Sequence, residues 1–370
     1  MLVLLGMALV VPASAEVTGE IALVVGADQD TQRVGVYDVG AGQLALVGPG
    51  NCDGAPVWSP DGSRLAFHTK EEGKLGIYIC YADGSNAKRL THAHPWNQDP
   101  RWSVDGKRLA YTVGIDDGPA TGVAVYDLSK DTETFWGGEQ KGLMRPVFLP
   151  NTNLLLALKP DDTEKAFDDP VAAGLLAEAL GADSAGTLLS LGIVGAGKLS
   201  TEIFVVTPGF ALPVLPLVPG GGNSTRYAEW QAEPNTKGDR IAFESNSGGD
   251  REIFVLGKRG VTNVTNHAAA AWAPVWAADG RTLAFESFRS GRRGVYRVFT
   301  DTARVLPVVV LENADAFAPA WAPDGKTLAC TSTESGDARV CLVDVKSGKR
   351  TALPLGEPTD GAAWRPSGKK

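Results

Sequence analysis

The chain has 370 residues, of which 44% are hydrophobic, so it is long enough to bury a sizeable core. Its formal net charge is −8, from 35 Lys+Arg against 43 Asp+Glu, and neither sign forms a long run. Because this balance lacks the basic footprint of nucleic-acid-binding proteins, no nucleic-acid partner is expected. Frequent Gly (44) and Pro (23), with few helix-period runs, indicate many short strands joined by turns.

The first 15 residues, "MLVLLGMALVVPASA", have the pattern of a secretory signal peptide. An apolar run ends in the small residues Ala13-Ser14-Ala15, although no Lys or Arg precedes it. The alternative is a buried N-terminal strand. We expect a mature chain that begins near Glu16, contains no membrane span, and is periplasmic or secreted from a bacterium.

One hairpin sequence recurs along the chain. "PVWSPDGSRLAF" (56–67) has near-copies at 100–111, 274–285 and 319–330. The aromatic residues that open the repeats are Trp58, Trp102, Phe148, Trp230, Trp276, Trp321 and Trp364, at intervals of 44, 46, 82, 46, 45 and 43 residues. A period of 40–50 residues predicts a β-propeller or another repeat array.

Each repeat reads as four strands, A to D, with a tight turn between A and B. In "SPDG", Pro60 presets φ, Asp61 tolerates the next position, and Gly62 supplies the positive φ that closes the turn. Residues 20–48 read as strands B, C and D, and 362–370 supply a strand A. The sequence therefore predicts an all-β domain over 16–370, a seven-bladed β-propeller of four-stranded antiparallel blades. C-terminal strand A would join N-terminal strands B–D and close the ring, which leaves only short outer edges.

The repeat resembles the WD40-like repeat of the TolB family of β-propellers. The resemblance rests on the pattern W-[ST]-P-D-G-[KR]-x-[IL]-A-[FY], followed by a strand of the form I-[YF]-[VI], and covers essentially the whole mature chain. It implies a propeller, but such repeats occur in binding proteins, peptidase propeller domains and sugar lyases alike. The TolB protein itself has six blades and a preceding α/β domain, whereas seven blades are counted here.

The interval of 82 residues contains an insertion at 160–200, between strands B and C of blade 4. Asp169 is a suitable N-cap for a helix that starts at Pro170 and ends before Gly181, and a second short helix is expected around 188–191. This helical insertion is interpreted as a lid, a docking element or a tolerated decoration.

One face of the predicted propeller carries the D–A and B–C connections, and here we expect ligand or partner binding. The candidate residues belong to D–A connections and are His92, His94, Trp96, Asn97, Asp99, Trp272 and Phe317. The leading hypothesis is a non-catalytic, monomeric binding scaffold for a protein, peptide or glycan. It assigns no catalytic residue, cofactor or metal.

The alternative is a metal-assisted carbohydrate-active enzyme, a lyase or hydrolase that uses the same face. His92 and His94 are spaced to share a metal ion, with Asp99 or His267 as a third ligand. The chain resembles seven-bladed oligogalacturonate lyases in repeat type, but their His-rich pattern is not reproduced. Paired loop acids at 28/30, 116/117 and 161/162 are a further possibility, for calcium. No G-x-S-x-G motif or P-loop is present.

Two cysteines occupy slots that hold aromatic residues in the other repeats. Cys330 and Cys341 would face each other on adjacent antiparallel strands, within disulfide reach. We predict a disulfide between them, with two packed thiols as the alternative. Cys52 and Cys80 lie too far apart along the strand direction for a second bond.

Overall fold

A computed structural model provides the structure of the protein. It describes residues 17–27, 31–52, 54–71, 73–91, 94, 96–115, 120–160, 199–213, 227–246, 249–258 and 260–367. The predicted signal peptide and nearly all of the predicted helical insertion lie outside these residues. A search of the described segments for a helix that is long and apolar enough to span a membrane finds none.

The strands form seven blades, numbered in chain order. Blade 1 consists of β28 (Thr359–Trp364), β1 (Glu20–Val25), β2 (Arg33–Asp38) and β3 (Gln43–Val47). Blade 2 consists of β4 (Val57–Trp58), β5 (Arg64–Glu71), β6 (Lys74–Tyr81) and β7 (Lys88–Arg89). Blade 3 consists of β8 (Asn97–Trp102), β9 (Arg108–Gly114), β10 (Thr121–Asp127) and β11 (Thr132–Trp136). Blade 4 consists of β12 (Met144–Phe148), β13 (Leu155–Pro160), β14 (Leu199–Val206) and β15 (Ala211–Pro213).

The remaining three blades repeat the same order. Blade 5 consists of β16 (Tyr227–Pro234), β17 (Arg240–Ser245), β18 (Glu252–Gly257) and β19 (Gly260–Asn263). Blade 6 consists of β20 (Ala271–Trp276), β21 (Thr282–Ser287), β22 (Gly294–Phe299) and β23 (Arg304–Val309). Blade 7 consists of β24 (Ala316–Trp321), β25 (Thr327–Ser332), β26 (Arg339–Asp344) and β27 (Arg350–Ala352). Blades 4 and 5 are additionally linked, because the start of β14 pairs in parallel with the start of β16.

The ring closes as the sequence predicts. The C-terminal strand β28 pairs antiparallel with β1, and Ile21 lies opposite Trp364 and Val25 opposite Thr359. The C-terminal segment thus supplies the innermost strand of a blade whose other three strands come from the N-terminal region. The predicted seven-bladed, all-β fold is confirmed.

The assignment of Trp230 as the opening aromatic of blade 5 is wrong. In blade 6, the opening residue Trp276 lies opposite Leu283. The equivalent pair in blade 5 is Pro234 with Ile241, and Trp230 lies opposite Glu244. The turn of this blade reads "PNTKGDRIAF", so the slot that holds an aromatic residue in the other repeats is a proline, four residues beyond Trp230. The sequence pattern selected the nearest aromatic instead.

The innermost strand carries a β-bulge in six of the blades, where two of its residues oppose one residue of strand B. The first bulged residue has a positive φ of 46–62° at each site: Asp99, Arg145, Gln231, Ala273, Ala318 and Gly361. In four blades the next residue is proline, at 100, 146, 274 and 319. Proline has no N–H to offer a ladder and is tolerated at bulges.

Three of the bulges donate a backbone N–H to the preceding blade. A strand-B side chain of that blade accepts it in three cases: Thr112 Oγ1 from Arg145 at 2.8 Å, Glu244 Oε1 from Ala273 at 2.6 Å, and Glu286 Oε1 from Ala318 at 2.9 Å. The two glutamates are almost fully buried and also bind arginines of their own blades, Arg251 and Arg293. These bonds hold consecutive blades together around the ring.

The opening tryptophans link the blades in a second way. The indole Nε1–H of Trp58 donates to the carbonyl of Ala363 at 3.0 Å, and that of Trp276 donates to Glu233 at 2.8 Å. Both acceptors lie on the inner strand of the preceding blade. Between the blades, the predicted core phenylalanines 67, 243 and 285 are fully buried. Packing and hydrogen bonds therefore fix the inner strands, which line the axial channel.

Candidate functional site

The structure places Trp272 and Phe317 on inner strands, and not in loops as the sequence suggested. Trp272 belongs to β20 and Phe317 to β24, one residue before the bulge in each case. Both are half-buried and lie at the end of strand A that follows the D–A connection. The repeat therefore places both side chains at the end of strand A that adjoins the predicted binding face.

An aromatic and guanidinium cluster surrounds these two side chains. We call Trp272, Phe288, Arg293 and Phe317 the aromatic cluster. The rings of Trp272 and Phe288 lie 5.0 Å apart between centroids. The guanidinium carbon of Arg293 lies 4.3 Å from the centroid of Phe317 and 5.9 Å from that of Trp272. Phe288, in the B–C turn of blade 6, is 48% exposed, so the cluster presents apolar surface to solvent.

Glu286 fixes the position of Arg293 in this cluster. Its carboxylate is almost fully buried, accepts a bond from the Arg293 guanidinium, and also accepts the bulge N–H of Ala318. Arg293 is thus held in place between two aromatic rings of adjacent blades. A guanidinium confined in this way keeps little side-chain entropy to lose on binding a partner.

His94 and Trp96 lie at the entry to blade 3. The His94 ring meets Phe135 edge-to-face, with centroids 5.2 Å apart. The indole of Trp96 packs over Gly114, where a Cβ atom would come within 2.4 Å of the indole nitrogen. Both rings are half-buried, and each contacts its own blade. His92, predicted beside them, lies outside the described residues.

Asn97, another predicted binding residue, lies between two blades. Its side chain is fully buried, and its amide donates to the carbonyl oxygen of Leu75 at 3.0 Å and to that of His94 at 3.3 Å. Leu75 belongs to blade 2, so the amide ties blade 2 to blade 3. A partner on the surface has no access to this group.

Asp99 faces the axial channel. Together with Arg101, Arg145, Gln231 and Glu233, it forms what we call the charged channel wall, from the inner strands of blades 3, 4 and 5. These residues, with Val147 and Ala232, line a cavity of about 240 Å³. Arg101 pairs with Glu233 at 3.3 Å, and Asp99 lies 4.0 Å from Arg145. All four charged side chains retain solvent access.

The predicted site residues therefore divide into two groups. His94, Trp96, Asn97 and Asp99 make their contacts with blades 2 to 4, and Trp272 and Phe317 with blades 6 and 7. Sequence reasoning missed Phe288 and Arg293, and all of the channel wall except Asp99. The channel wall could have been found by comparing two positions of each repeat, one and three residues before the opening residue. In some blades these positions hold small residues, and in others they hold charged residues.

A protein-family model matches most of the chain. The model of the TolB beta propeller domain matches residues 5–168 and 231–370, which is most of the sequence. The chain belongs to the TolB beta-propeller domain family. The family match omits 169–230, which contains most of the predicted insertion.

Individual relatives match over shorter stretches. The Tol-Pal system protein TolB of Desulfosudis oleivorans is 34% identical over 95 residues, 26% of this chain and 21% of the relative. The uncharacterized peptidase YuxL of Bacillus subtilis is 39% identical over 64 residues, 17% of this chain and 10% of the relative. The matches thus span only small parts of these longer proteins.

A solved structure agrees with the fold over almost its whole length. The β-propeller domain of the trilobed protease from Pyrococcus furiosus superimposes with a TM-score of 0.63 at 12% identity. The match covers 92% of this chain and 97% of that domain. At this identity the likeness shows the fold alone.

Three of the residues proposed as metal ligands, His94, Asp99 and His267, have other contacts in this TolB-type propeller. His267 is exposed, its Nδ1 accepts the N–H of Ala269 at 3.0 Å, and its own N–H donates to Glu252 at 2.6 Å. Among the described residues, no three His, Cys, Asp or Glu side chains are grouped to hold a metal ion. The paired acids at 28/30, 116/117 and 161/162 lie outside those residues.

Cys330 and Cys341 face each other on β25 and β26, which is the register that the disulfide prediction requires. In the structure they are two buried thiols with sulfur atoms 3.4 Å apart, joined by a hydrogen bond. That bond, together with burial, raises the pKa of Cys330. The disulfide remains a prediction. Cys52 and Cys80 are also buried thiols.

Proposed function

We propose that this propeller is a binding scaffold that holds a segment of a partner protein on the face carrying the D–A and B–C connections. Trp272 and Phe317 are the predicted residues at the center of this proposal, joined by Phe288 and Arg293. His92, His94 and Trp96 would belong to the same face near blade 3, whereas Asp99 lines the channel. The N-terminal sequence and the bacterial relatives support a periplasmic or secreted location.

The aromatic cluster carries this proposal. Tryptophan and arginine dominate the binding energy of protein interfaces when they are rigid and can be desolvated. Here the arginine is held by a buried glutamate, and an exposed phenylalanine packs against the tryptophan at a tilt. Full burial of a phenylalanine side chain contributes about 1.5–3 kcal/mol, so covering the exposed half of this ring contributes about half of that. A partner that covers this cluster would recover that energy.

The relatives favor a polypeptide over a glycan as the partner. One matched relative is named as a component of the Tol-Pal system and another as a peptidase. A peptidase acts on peptides, and a component of a protein system acts together with other proteins. The matches cover only 10% and 21% of these two relatives, so they support a class of partner and no particular one.

The test compares two exposed phenylalanines on opposite faces. Phe288 is 48% exposed in a B–C turn, and Phe210 is 43% exposed in a C–D turn. Tagged wild-type, Phe288→Ser and Phe210→Ser chains would be incubated with a periplasmic extract and crosslinked, and captured proteins identified by mass spectrometry. We expect a partner that is retained by Phe210→Ser, lost by Phe288→Ser, and destroyed by protease treatment of the extract.

Other outcomes would contradict the proposal. Equal capture by both variants would remove the aromatic cluster as the binding site. A partner that survives protease treatment and is lost on glycosidase treatment would indicate a glycan. Elemental analysis that finds a stoichiometric divalent metal, lost in His92→Ala and His94→Ala, would favor the metal-assisted carbohydrate enzyme.

A further inference from the structure

We propose that the charged channel wall is a second binding site, which takes a carboxylate group onto the guanidinium of Arg145. The site lies in the axial channel between the inner strands of blades 3, 4 and 5. It does not depend on the protein-binding face proposed above, because the aromatic cluster belongs to blades 6 and 7. Loss of one site leaves the other intact.

The same slots in the other blades show that the fold does not need these charges. The first bulged residue is Ala273 in blade 6, Ala318 in blade 7 and Gly361 in blade 1, with φ values of 52°, 50° and 62°. Asp99, Arg145 and Gln231 adopt nearly the same φ, 55°, 50° and 46°. A small side chain therefore makes the same bulge. Polar side chains in three adjacent blades have no role in forming it.

The ion pairs of the wall are too exposed to explain its charges by stability. Arg101 and Glu233 keep 41% and 25% of their side-chain surface exposed, and Arg145 and Asp99 keep 59% and 33%. Pairs of this kind contribute about 0–1 kcal/mol each. At 4.0 Å, the contact between Arg145 and Asp99 is also longer than a good hydrogen bond.

Arg145 is the group in this wall best placed to receive a ligand. It has the most exposed of the four charged side chains, and its backbone is fixed by the bulge and by the bond to Thr112. A guanidinium binds a carboxylate through two parallel hydrogen bonds. Gln231, across the cavity, offers an amide, and Val147 an apolar surface.

The size of the cavity restricts the ligand. About 240 Å³ lies below the usual range of small-molecule pockets, roughly 300–1,000 Å³, and suits a group about the size of one amino-acid residue. The ligand is therefore a small carboxylate, or the carboxylate end of a polypeptide that enters the channel. The chemistry recognized is the same, and the experiment separates the two sources.

The experiment measures binding of three probes by isothermal titration calorimetry. The probes are propionate, acetyl-Ala-Ala with a free carboxylate, and acetyl-Ala-Ala amide. The variants are Arg145→Gln, which places in blade 4 the residue found at position 231, and Arg304→Gln on exposed β23 as a matched control. We expect saturable binding of a carboxylate probe, weakened about tenfold or more by Arg145→Gln and unchanged by Arg304→Gln.

A further variant tests the sign of the interaction. Asp99→Ala introduces the residue found at position 273 and removes the acid that competes for Arg145. It should strengthen carboxylate binding by about two- to fivefold, whereas a site for cations would be weakened by the same change. Equal binding of propionate and acetyl-Ala-Ala assigns a free carboxylate, and markedly tighter binding of acetyl-Ala-Ala assigns a chain end.

Three results would overturn the proposal. They are no saturable binding of either carboxylate probe up to about 10 mM, equal binding of the amide, and equal affinities of Arg145→Gln and Arg304→Gln. None of these bears on the capture experiment with Phe288→Ser. Circular dichroism of each variant confirms that the propeller is folded before titration.

Discussion

The six bulged inner strands share one backbone and differ in their chemistry. We call those of blades 3 to 5 the charged half of the channel and those of blades 6, 7 and 1 the uncharged half. In blades 3 to 5, the slots three and one residues before the opening residue hold Asp99 and Arg101, Arg145 and Val147, and Gln231 and Glu233. In blades 6, 7 and 1 they hold Ala273 and Val275, Ala318 and Ala320, and Gly361 and Ala363. The bulge φ stays between 46° and 62° throughout. The repeat fixes the backbone, so these side chains are free to serve binding.

The largest expected effect concerns the bond that both halves share. Glu286→Ala removes the buried acceptor of the Ala318 bulge N–H and leaves the Arg293 guanidinium without its partner. We expect the free energy of unfolding to fall by about 3 kcal/mol, as when one member of a buried pair is removed. Denaturant unfolding measures it, with exposed Glu312→Ala as the control.

The same bond in the charged half is weaker. Thr112→Val removes a neutral hydroxyl acceptor from the Arg145 N–H and should cost about 1 kcal/mol. Equal losses in Thr112→Val and Glu286→Ala would mean that the buried charge adds nothing to the joint.

The uncharged half carries a feature of its own, the cysteine pair in blade 7. If Cys330 and Cys341 form the predicted disulfide, oxidation should raise the free energy of unfolding by about 2 kcal/mol, because a short loop of the unfolded chain is closed. Thiol titration in denaturant after oxidative refolding should find two free thiols, from Cys52 and Cys80. Four free thiols, with no change on adding a reductant, would show that the pair remains two packed thiols.

The smallest expected effect concerns the A–B turn, which lies at the end of strand A away from the bulge. In blade 2, a hydrogen bond from Ser59, with another from the Ser63 N–H, lowers the pKa of Asp61 to about 2. Because the folded pKa lies below the ordinary value, the carboxylate stabilizes the fold above about pH 4, and this contribution is lost as the pH falls toward 2.

Asp61→Ala should therefore destabilize the protein at pH 6 and much less at pH 2. The carboxylate is largely solvated, so the difference should stay below about 1 kcal/mol. Urea unfolding of both proteins at the two pH values measures it. A loss that is the same at both would assign the effect of the substitution to the turn backbone.

The sequence predicts the fold in detail because the repeat expresses its physical causes locally. The turn at Pro60–Gly62, the buried Phe67 and the complementary chain ends were all readable. Blade 5 departs from the pattern, because Pro234 replaces the opening aromatic residue and Trp230 lies four residues earlier.

The candidate site was harder to predict than the fold. The sequence placed Trp272 and Phe317 in D–A loops, and the structure places them on inner strands. Phe288 and Arg293, which pack against them, belong to the B–C connection of blade 6 and were not predicted. Asn97 was selected for its polar side chain, and only the three-dimensional structure shows that the amide is buried between blades. The contacts between neighboring blades depend on how the blades are arranged around the ring, and the sequence of a single repeat does not show this arrangement.

If the charged side chains of the channel wall serve binding, the fold should not need them. A fourfold variant gives blades 3 to 5 the residues that blade 6 carries at 273 and 275: Asp99→Ala, Arg101→Val, Arg145→Ala and Glu233→Val. Its free energy of unfolding, from denaturant titration, should lie within about 1 kcal/mol of the wild-type value. A loss as large as that of Glu286→Ala would show that the charges hold the ring together and would contradict their assignment to binding.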